Sequence, residues 1–154
     1  MNEKDTSILF VCMGNICRSP AAECFFRNAI ESRGIASRFT LDSAGTGGWH
    51  AGASPDRRMR AAAKRQGKVI QGSARQVTVD DFETFDYIFC MDRENYTDLM
   101  AMGASGTNTH VVLEYINHAT QMDVPDPYYG GEDGFDNVVL LVDDAMQRLA
   151  DMFT

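Results

Sequence analysis

Cys12, Arg18 and Ser19 stand in one eight-residue stretch, Cys12-Met13-Gly14-Asn15-Ile16-Cys17-Arg18-Ser19. A thiol, a guanidinium and a hydroxyl this close can form a metal site, a redox pair, or a loop that grips an anion and attacks it. Zinc is disfavoured. The four cysteines, Cys12, Cys17, Cys24 and Cys90, include no C-x-x-C and no nearby His pair. The anion loop fits the local pattern better. A turn of this length can aim successive backbone N–H groups inward as a nest. Gly14 permits backbone shapes closed to other residues, and Asn15 tolerates the left-handed region. Arg18 can fork onto two oxygens of a phosphate. The N–H donors, a following helix N-terminus and Arg18 all favour a thiolate at Cys12. Ser19 can donate its hydroxyl to that sulfur.

The flanking elements must put this stretch at a sheet edge. Ser7-Ile8-Leu9-Phe10-Val11 is a continuous apolar run and predicts a buried parallel strand. Ser19-Pro20-Ala21-Ala22-Glu23 predicts a helix start, with Ser as cap, Pro at the first helical position and an acid in the first turn. That helix is expected to end at Gly34. Further strands are expected over Phe39–Ser43, Tyr87–Met91 and Thr109–Leu113. Further helices are expected from Ser54-Pro55-Asp56 to Gln66, from Arg93, capped by Asp92, to about Met102, and from about Phe135 to Met152. A short capped turn is expected near Thr78, and residues 114–134 read as one long loop, a length that usually carries function. The alternation predicts one α/β domain with a parallel sheet, in which ligands bind beyond the strands' carboxyl ends.

The formal net charge of −8 is unevenly spread, at +6 over residues 1–78 and −14 over residues 79–154. Uneven charge is common in soluble proteins, but it also suits an anion site built from the first half. An acidic molecule repels nucleic acid, which is excluded as a partner. No apolar run approaches the roughly 20 residues of a membrane helix, and the polar Met1–Thr6 is no secretory signal. The expected location is the cytoplasm, with no membrane partner. Cys24 and Cys90 lie on apolar stretches and are expected in the core.

The stretch VCMGNICRSP, with DSAGT at 42–46, FDYIFCMD at 85–92 and DPYYGG at 126–131, resembles the low-molecular-weight protein tyrosine phosphatases. The matches run over nearly the whole chain. The resemblance implies a flavodoxin-like three-layer sandwich with a four-stranded parallel sheet, residues 1–154 forming a single phosphatase domain. It implies a phosphomonoesterase without metal or cofactor, acting on a phosphotyrosine-containing protein or a small aryl phosphate. A monomer is expected, with weak self-association left open.

By the same resemblance, Cys12 is the nucleophile, Arg18 the phosphate clamp and Asp126 the general acid and base. Without it, Asp126-Pro127 would read more readily as a turn signal than as an acid. Met13, Gly14, Asn15, Ile16, Cys17, Arg18 and Ser19 become the phosphate-binding loop. Asp92 is expected to orient Arg18 while capping a helix, and Ser43 to bond Asn15. Trp49, His50, Tyr128 and Tyr129 become walls of the substrate cleft, although an aromatic at Trp49 could equally cover core. Family members can join the counterparts of Cys12 and Cys17 in a reversible disulfide, which gives the pair a redox role. Some members carry a histidine just before the Ala-Arg-Gln run, and Gln71-Gly72-Ser73-Ala74-Arg75-Gln76 has none, so the support beneath the loop must differ.

Three rival functions are weighed against this. Thioredoxin-linked arsenate reductases need two more cysteines in the second half, where only Cys90 occurs. Arginine phosphatases carry Thr at the position of Ile16, which has no hydroxyl. A pure phosphate binder would need neither Cys12 nor Asp126.

Overall fold

Apolar residues on consecutive positions of β1 (Thr6–Cys12) bury both faces of that strand. Ile8, Phe10 and Cys12 face one layer of core, and Leu9 and Val11 face the other. A strand sealed on both sides belongs at the centre of a parallel sheet. The computed structural model of the chain, which describes residues 5–129 and 133–154 (Tyr129 by its backbone alone), places it there. β2 (Phe39–Gly45) and β3 (Tyr87–Cys90) pair with β1 on either side, and β4 (Thr109–Val111) closes the far edge. All pairings are parallel, in the order β2-β1-β3-β4, which is the flavodoxin-like arrangement.

Six further elements cover the sheet: α1 (Arg18–Ser32), α2 (Arg57–Arg65), α3 (Asp81–Thr84), α4 (Arg93–Ala101), α5 (Val112–Tyr115) and α6 (Gly134–Met152). The first core layer joins α1, α2, α5 and α6 to the Ile8 face, and the second joins α3 and α4 to the Leu9 face. The Phe10 ring lies between Phe26 of α1 at 5.7 Å and Phe89 of β3 at 6.2 Å. Burying each such ring contributes about 2–3 kcal/mol, which fixes α1 against the strand from which the Cys12 loop leaves.

The register aligns Cys12 with Gly45 and Val11 with Cys90. The three strands therefore end at one edge, and the chain diverges to opposite sides of β1 there. This is the switch point at which open α/β sheets form their crevice.

The structure corrects four expectations. Ser19 does not cap α1. The helix starts at Arg18, with Cys17 at the N-cap giving no side-chain bond and no acid in the first turn. The Ser19 hydroxyl is engaged by Cys12 and Asn15 instead. Pro20 remains tolerated, because first-turn N–H groups lack intrahelical acceptors. β4 stops at Val111 rather than Leu113. Val112 and Leu113 both bury into the first core layer, which a strand's alternation forbids and one turn of helix allows. The span 114–134 is not one loop, since α5 and α6 reach into its ends and Pro127–Tyr129 forms a 3-10 turn. Cys90 is fully buried as expected. Cys24 is only half-buried, its thiol donating to the Val69 carbonyl at 3.2 Å.

Candidate active site

The crevice beyond β1 is a cavity of about 240 Å³ lined by Cys12, Met13, Gly14, Ile16, Cys17, Arg18, Trp49, His50, Asp126 and Tyr128. At its floor the Cys12 sulfur accepts from the Asn15 backbone N–H at 3.3 Å and lies 3.0 Å from the Ser19 hydroxyl. The Asn15 side-chain amide donates to that hydroxyl at 2.8 Å, so the one Ser19 proton is left for the sulfur or for the Ala44 carbonyl at 3.4 Å. Because Cys17 provides no cap, the first N–H groups of α1 are left uncapped beside the cavity, a setting that attracts anions.

Asn15 holds the loop in shape. Its φ of 57° lies in the left-handed region, and its side chain is fully engaged. Besides Ser19, its amide donates to the Ser43 hydroxyl at 3.0 Å, while its oxygen accepts from the Arg75 backbone N–H at 3.0 Å. The Ser43 contact meets expectation. The Arg75 contact was not foreseen. Arg75 is itself pinned by Asp42 and Asp81 at 3.0 and 2.9 Å. Gly45, across from Cys12, cannot be another residue without movement, because a Cβ there would sit 2.6 Å from the Met13 carbonyl oxygen.

Arg18 is buried to 4% side-chain exposure. Its Nη1 donates to Asp92 Oδ2 at 2.5 Å and to the Val124 carbonyl at 3.0 Å. Both protons of Nη1 are thus engaged, which leaves Nη2 and Nε for a ligand. Burial opposes the Arg18 charge. The Cys12 sulfur, Asp92 and Asp126 outweigh it and hold the guanidinium above its ordinary value. Asp92 also caps α4, its Oδ1 accepting from the Asn95 N–H at 2.7 Å, so one oxygen serves each role.

Asp126 Oδ2 lies 3.9 Å from Arg18 Nη2, and its Oδ1 accepts from the Tyr128 N–H at 3.0 Å. Tyr128, 47% exposed, forms one wall, with its hydroxyl donating to Asp56 at 3.0 Å and its ring under the Arg58 guanidinium at 4.7 Å. Asp56 caps α2 by accepting from the Arg58 and Met59 N–H groups, and its own N–H donates to the Ile16 carbonyl at 2.7 Å. Desolvation pulls the other way, but the bonds from Arg58, Tyr128 and the backbone keep its carboxyl below the ordinary range. The Asp56–Tyr128 link was missed from sequence, where Asp56 read only as part of a helix start.

Trp49 and His50 form the facing wall. Trp49 is 66% exposed and lines the cavity, so it does not cover core. Its ring rests against Gly47, where any Cβ would collide. The side chain of Tyr129 lies outside the described residues. Cys17 shares the loop, but burial, then Asp56, Cys12 and Asp126, push its thiol far above the ordinary value, so it stays protonated. Among the described residues, no group of three or more His, Cys, Asp or Glu is placed to hold a metal, and no helix is long and apolar enough to cross a membrane. A sulfur, an always-charged fork and a carboxyl around one small aromatic-walled cavity can bind a tetrahedral oxyanion, attack it and exchange a proton.

Known proteins share both the sequence and this framework. The low molecular weight phosphotyrosine protein phosphatase of Schizosaccharomyces pombe is 46% identical over 144 residues, covering 91% of this chain and 92% of its own. The crystal structure of YfkJ from Bacillus subtilis superposes with a TM-score of 0.92 at 38% identity, covering 99% of this chain and 97% of that one. A drosophila arginine phosphatase superposes with a TM-score of 0.85 at 31% identity, covering 96% and 97%. The family model described as low molecular weight phosphotyrosine protein phosphatase matches residues 7–154, and the chain belongs to that family of hydrolases.

Proposed function

We propose that this chain, acting as one domain, hydrolyses phosphotyrosine monoesters on proteins, and small aryl phosphates, through a phosphocysteine on Cys12. The observation that carries the reading is that the Cys12 sulfur, Arg18 and the Asp126 carboxyl line one cavity. The phosphoryl group sits in the loop from Met13 to Ser19, held by backbone N–H groups and by Nη2 and Nε of Arg18. The Cys12 thiolate attacks phosphorus in line with the ester oxygen. The P–O bond breaks, and Asp126 gives its proton to the leaving phenolate. The resulting Asp126 carboxylate then takes a proton from water as that water attacks the phosphocysteine. The S–P bond breaks, inorganic phosphate forms, and the Ser19 hydroxyl steadies the departing thiolate. Arg18 stabilises the equatorial oxygens in both steps.

Trp49, His50 and Tyr128 support an aromatic substrate, since a phenyl ring can enter between aromatic walls. The arginine phosphatase among the structural neighbours makes phosphoarginine the alternative to test, and Ile16, with no hydroxyl, argues for the ester. Kinetics on phosphotyrosine, phosphoarginine and arsenate side by side test the reading. Phosphotyrosine is expected to be turned over fastest, with one phosphate trapped on Cys12 by rapid quenching. Faster turnover of phosphoarginine, or no trapped phosphate, would overturn it.

A further inference from the structure

Six of the fourteen Lys and Arg residues of the chain fall within residues 57–68, with no acid among them. Two are matched, Arg58 by Asp56 and Arg65 by Asp136. Arg57, Arg60 and Lys64 are exposed and paired with no carboxylate among the described residues. They stand at i, i+3 and i+7, which is one stripe of α2. The face opposite, Met59, Ala62 and Ala63, is buried. In a molecule of net charge −8, three uncompensated cations on one line mark a strong local field.

The stripe begins at the lip of the catalytic cavity. Asp56, directly before Arg57, bonds both the Ile16 carbonyl in the phosphate loop and the Tyr128 hydroxyl in the cleft wall. Arg60 bends back toward this lip, with its Nε donating to the Pro55 carbonyl at 3.0 Å. On the other side of the cavity the sign reverses. A second hollow sharing Met13, Arg18 and Asp126 with the first is walled by Asp92, Glu94, Asp98 and Asp123; Asp92 is matched by Arg18 and Asp123 by Arg93, and Glu94 and Asp98 carry the uncompensated negative charge among the described residues. A peptide laid across the mouth meets cations at one end and carboxylates at the other.

We propose that the Arg57–Arg60–Lys64 stripe is a docking rail for an acidic segment on one side of the phosphotyrosine in a protein substrate. This rests on the phosphatase reading above and adds the substrate class to it. The carboxylate-rich side repels the same segment, so the rail also sets the direction in which the peptide lies. Small aryl phosphates never reach it.

The test is kcat/KM at low and high salt for four phosphotyrosine peptides: neutral flanks, acidic on the N-terminal side, acidic on the C-terminal side, and basic on both. One acidic peptide is expected to exceed the neutral one by about tenfold at low salt, three exposed ion pairs each giving a few-fold, and to lose that lead as salt rises. The variant Arg57→Glu/Arg60→Glu/Lys64→Glu should abolish the lead while leaving para-nitrophenyl phosphate turnover within about twofold. A triple Ala variant guards against charge-reversal artefacts and should give an intermediate loss. Equal rates on all four peptides, or a lead that survives in both variants, would overturn the rail alone. No turnover of para-nitrophenyl phosphate by the unaltered protein would overturn the phosphatase reading, and the rail with it.

Discussion

The Tyr128 hydroxyl donates to the Asp56 carboxylate at 3.0 Å, joining two segments 72 residues apart. Asp56 is fastened to the phosphate loop through Ile16, and Tyr128 is fastened to Asp126 through its own N–H. One hydrogen bond therefore ties the proton donor's loop to the loop that holds the nucleophile. Tyr128→Phe keeps the ring under Arg58 and removes only this tie. For substrates with poor leaving groups, kcat should fall about three- to tenfold, the worth of one hydrogen bond to a partly exposed charged group. Activated aryl phosphates, which need little protonation, should be unaffected. Equal losses on both would mean that the tyrosine acts on binding rather than on the acid.

Asp92→Asn separates two roles that share one side chain. Asn caps helices as well as Asp, so α4 should keep its start. Arg18, almost wholly buried, loses its nearest charge partner but keeps Asp126 at 3.9 Å, so the cost should stay below the roughly 3–5 kcal/mol of stripping a buried charge of its only partner. Competitive inhibition by inorganic phosphate should weaken about tenfold or more as the fork loses its fixed orientation. The melting temperature should fall too. A variant with unchanged phosphate inhibition would show that Val124 alone aims the guanidinium.

How much of this was legible beforehand depends on distance along the chain. The strand, loop and helix around Cys12 could be read because hydrophobic pattern, glycine and cap signals all fall within some thirty residues. Asp92 was readable for the same reason, being both a cap and the end of a strand. Ser19 was misread, because the hydroxyl that suits a cap equally suits a sulfur. The end of β4 was misread because an apolar run does not say whether consecutive residues go to one core layer or two. Arg75 bonding Asn15 through its backbone N–H leaves no side-chain signal at all. The Asp56–Tyr128 tie is a contact between a cap and a turn, each sufficient to explain its own residue.

Asp126→Asn should lower kcat by about 10²–10³ on substrates with poor leaving groups, within the range for one general acid. The dependence on leaving-group basicity should steepen. The wild type should show a bell-shaped rate profile, since the sulfur must be ionised while the carboxyl holds its proton. The variant should lose the limb that reports the acid. An unchanged profile would move the proton donor elsewhere.

Peroxide should convert Cys12 to a sulfenic acid, and the neighbouring Cys17 thiol should then displace water from it to form a Cys12–Cys17 disulfide. The thiolate is oxidised by two electrons, peroxide is reduced to water, and a dithiol reverses the product. Cys17 is held protonated by burial and nearby carboxylates, so this closure should be slow and should accelerate as pH rises. Peptide mapping after timed exposure checks it. Cys12 sulfinic acid with no disulfide at any pH would remove Cys17 from the chemistry.

The Asp81 carboxyl joins the network that steadies the phosphate loop from below. Desolvation favours its neutral form, but the Arg75 guanidinium and the Thr78 N–H and hydroxyl prevail and hold it below the ordinary carboxylate value. The native state therefore binds its proton less tightly than the unfolded chain does. The stability it contributes is complete above the unfolded value of about 3.9 and is lost as pH falls through the lower native one. Asp81→Asn should melt below the wild type at neutral pH, and the gap should close as the solution is acidified through that window. Because Arg75 also supports Asn15, the same variant should loosen the phosphate loop and weaken phosphate inhibition at neutral pH. A melting gap that stays constant with pH would show that the Asp81 charge contributes nothing and that only its shape matters.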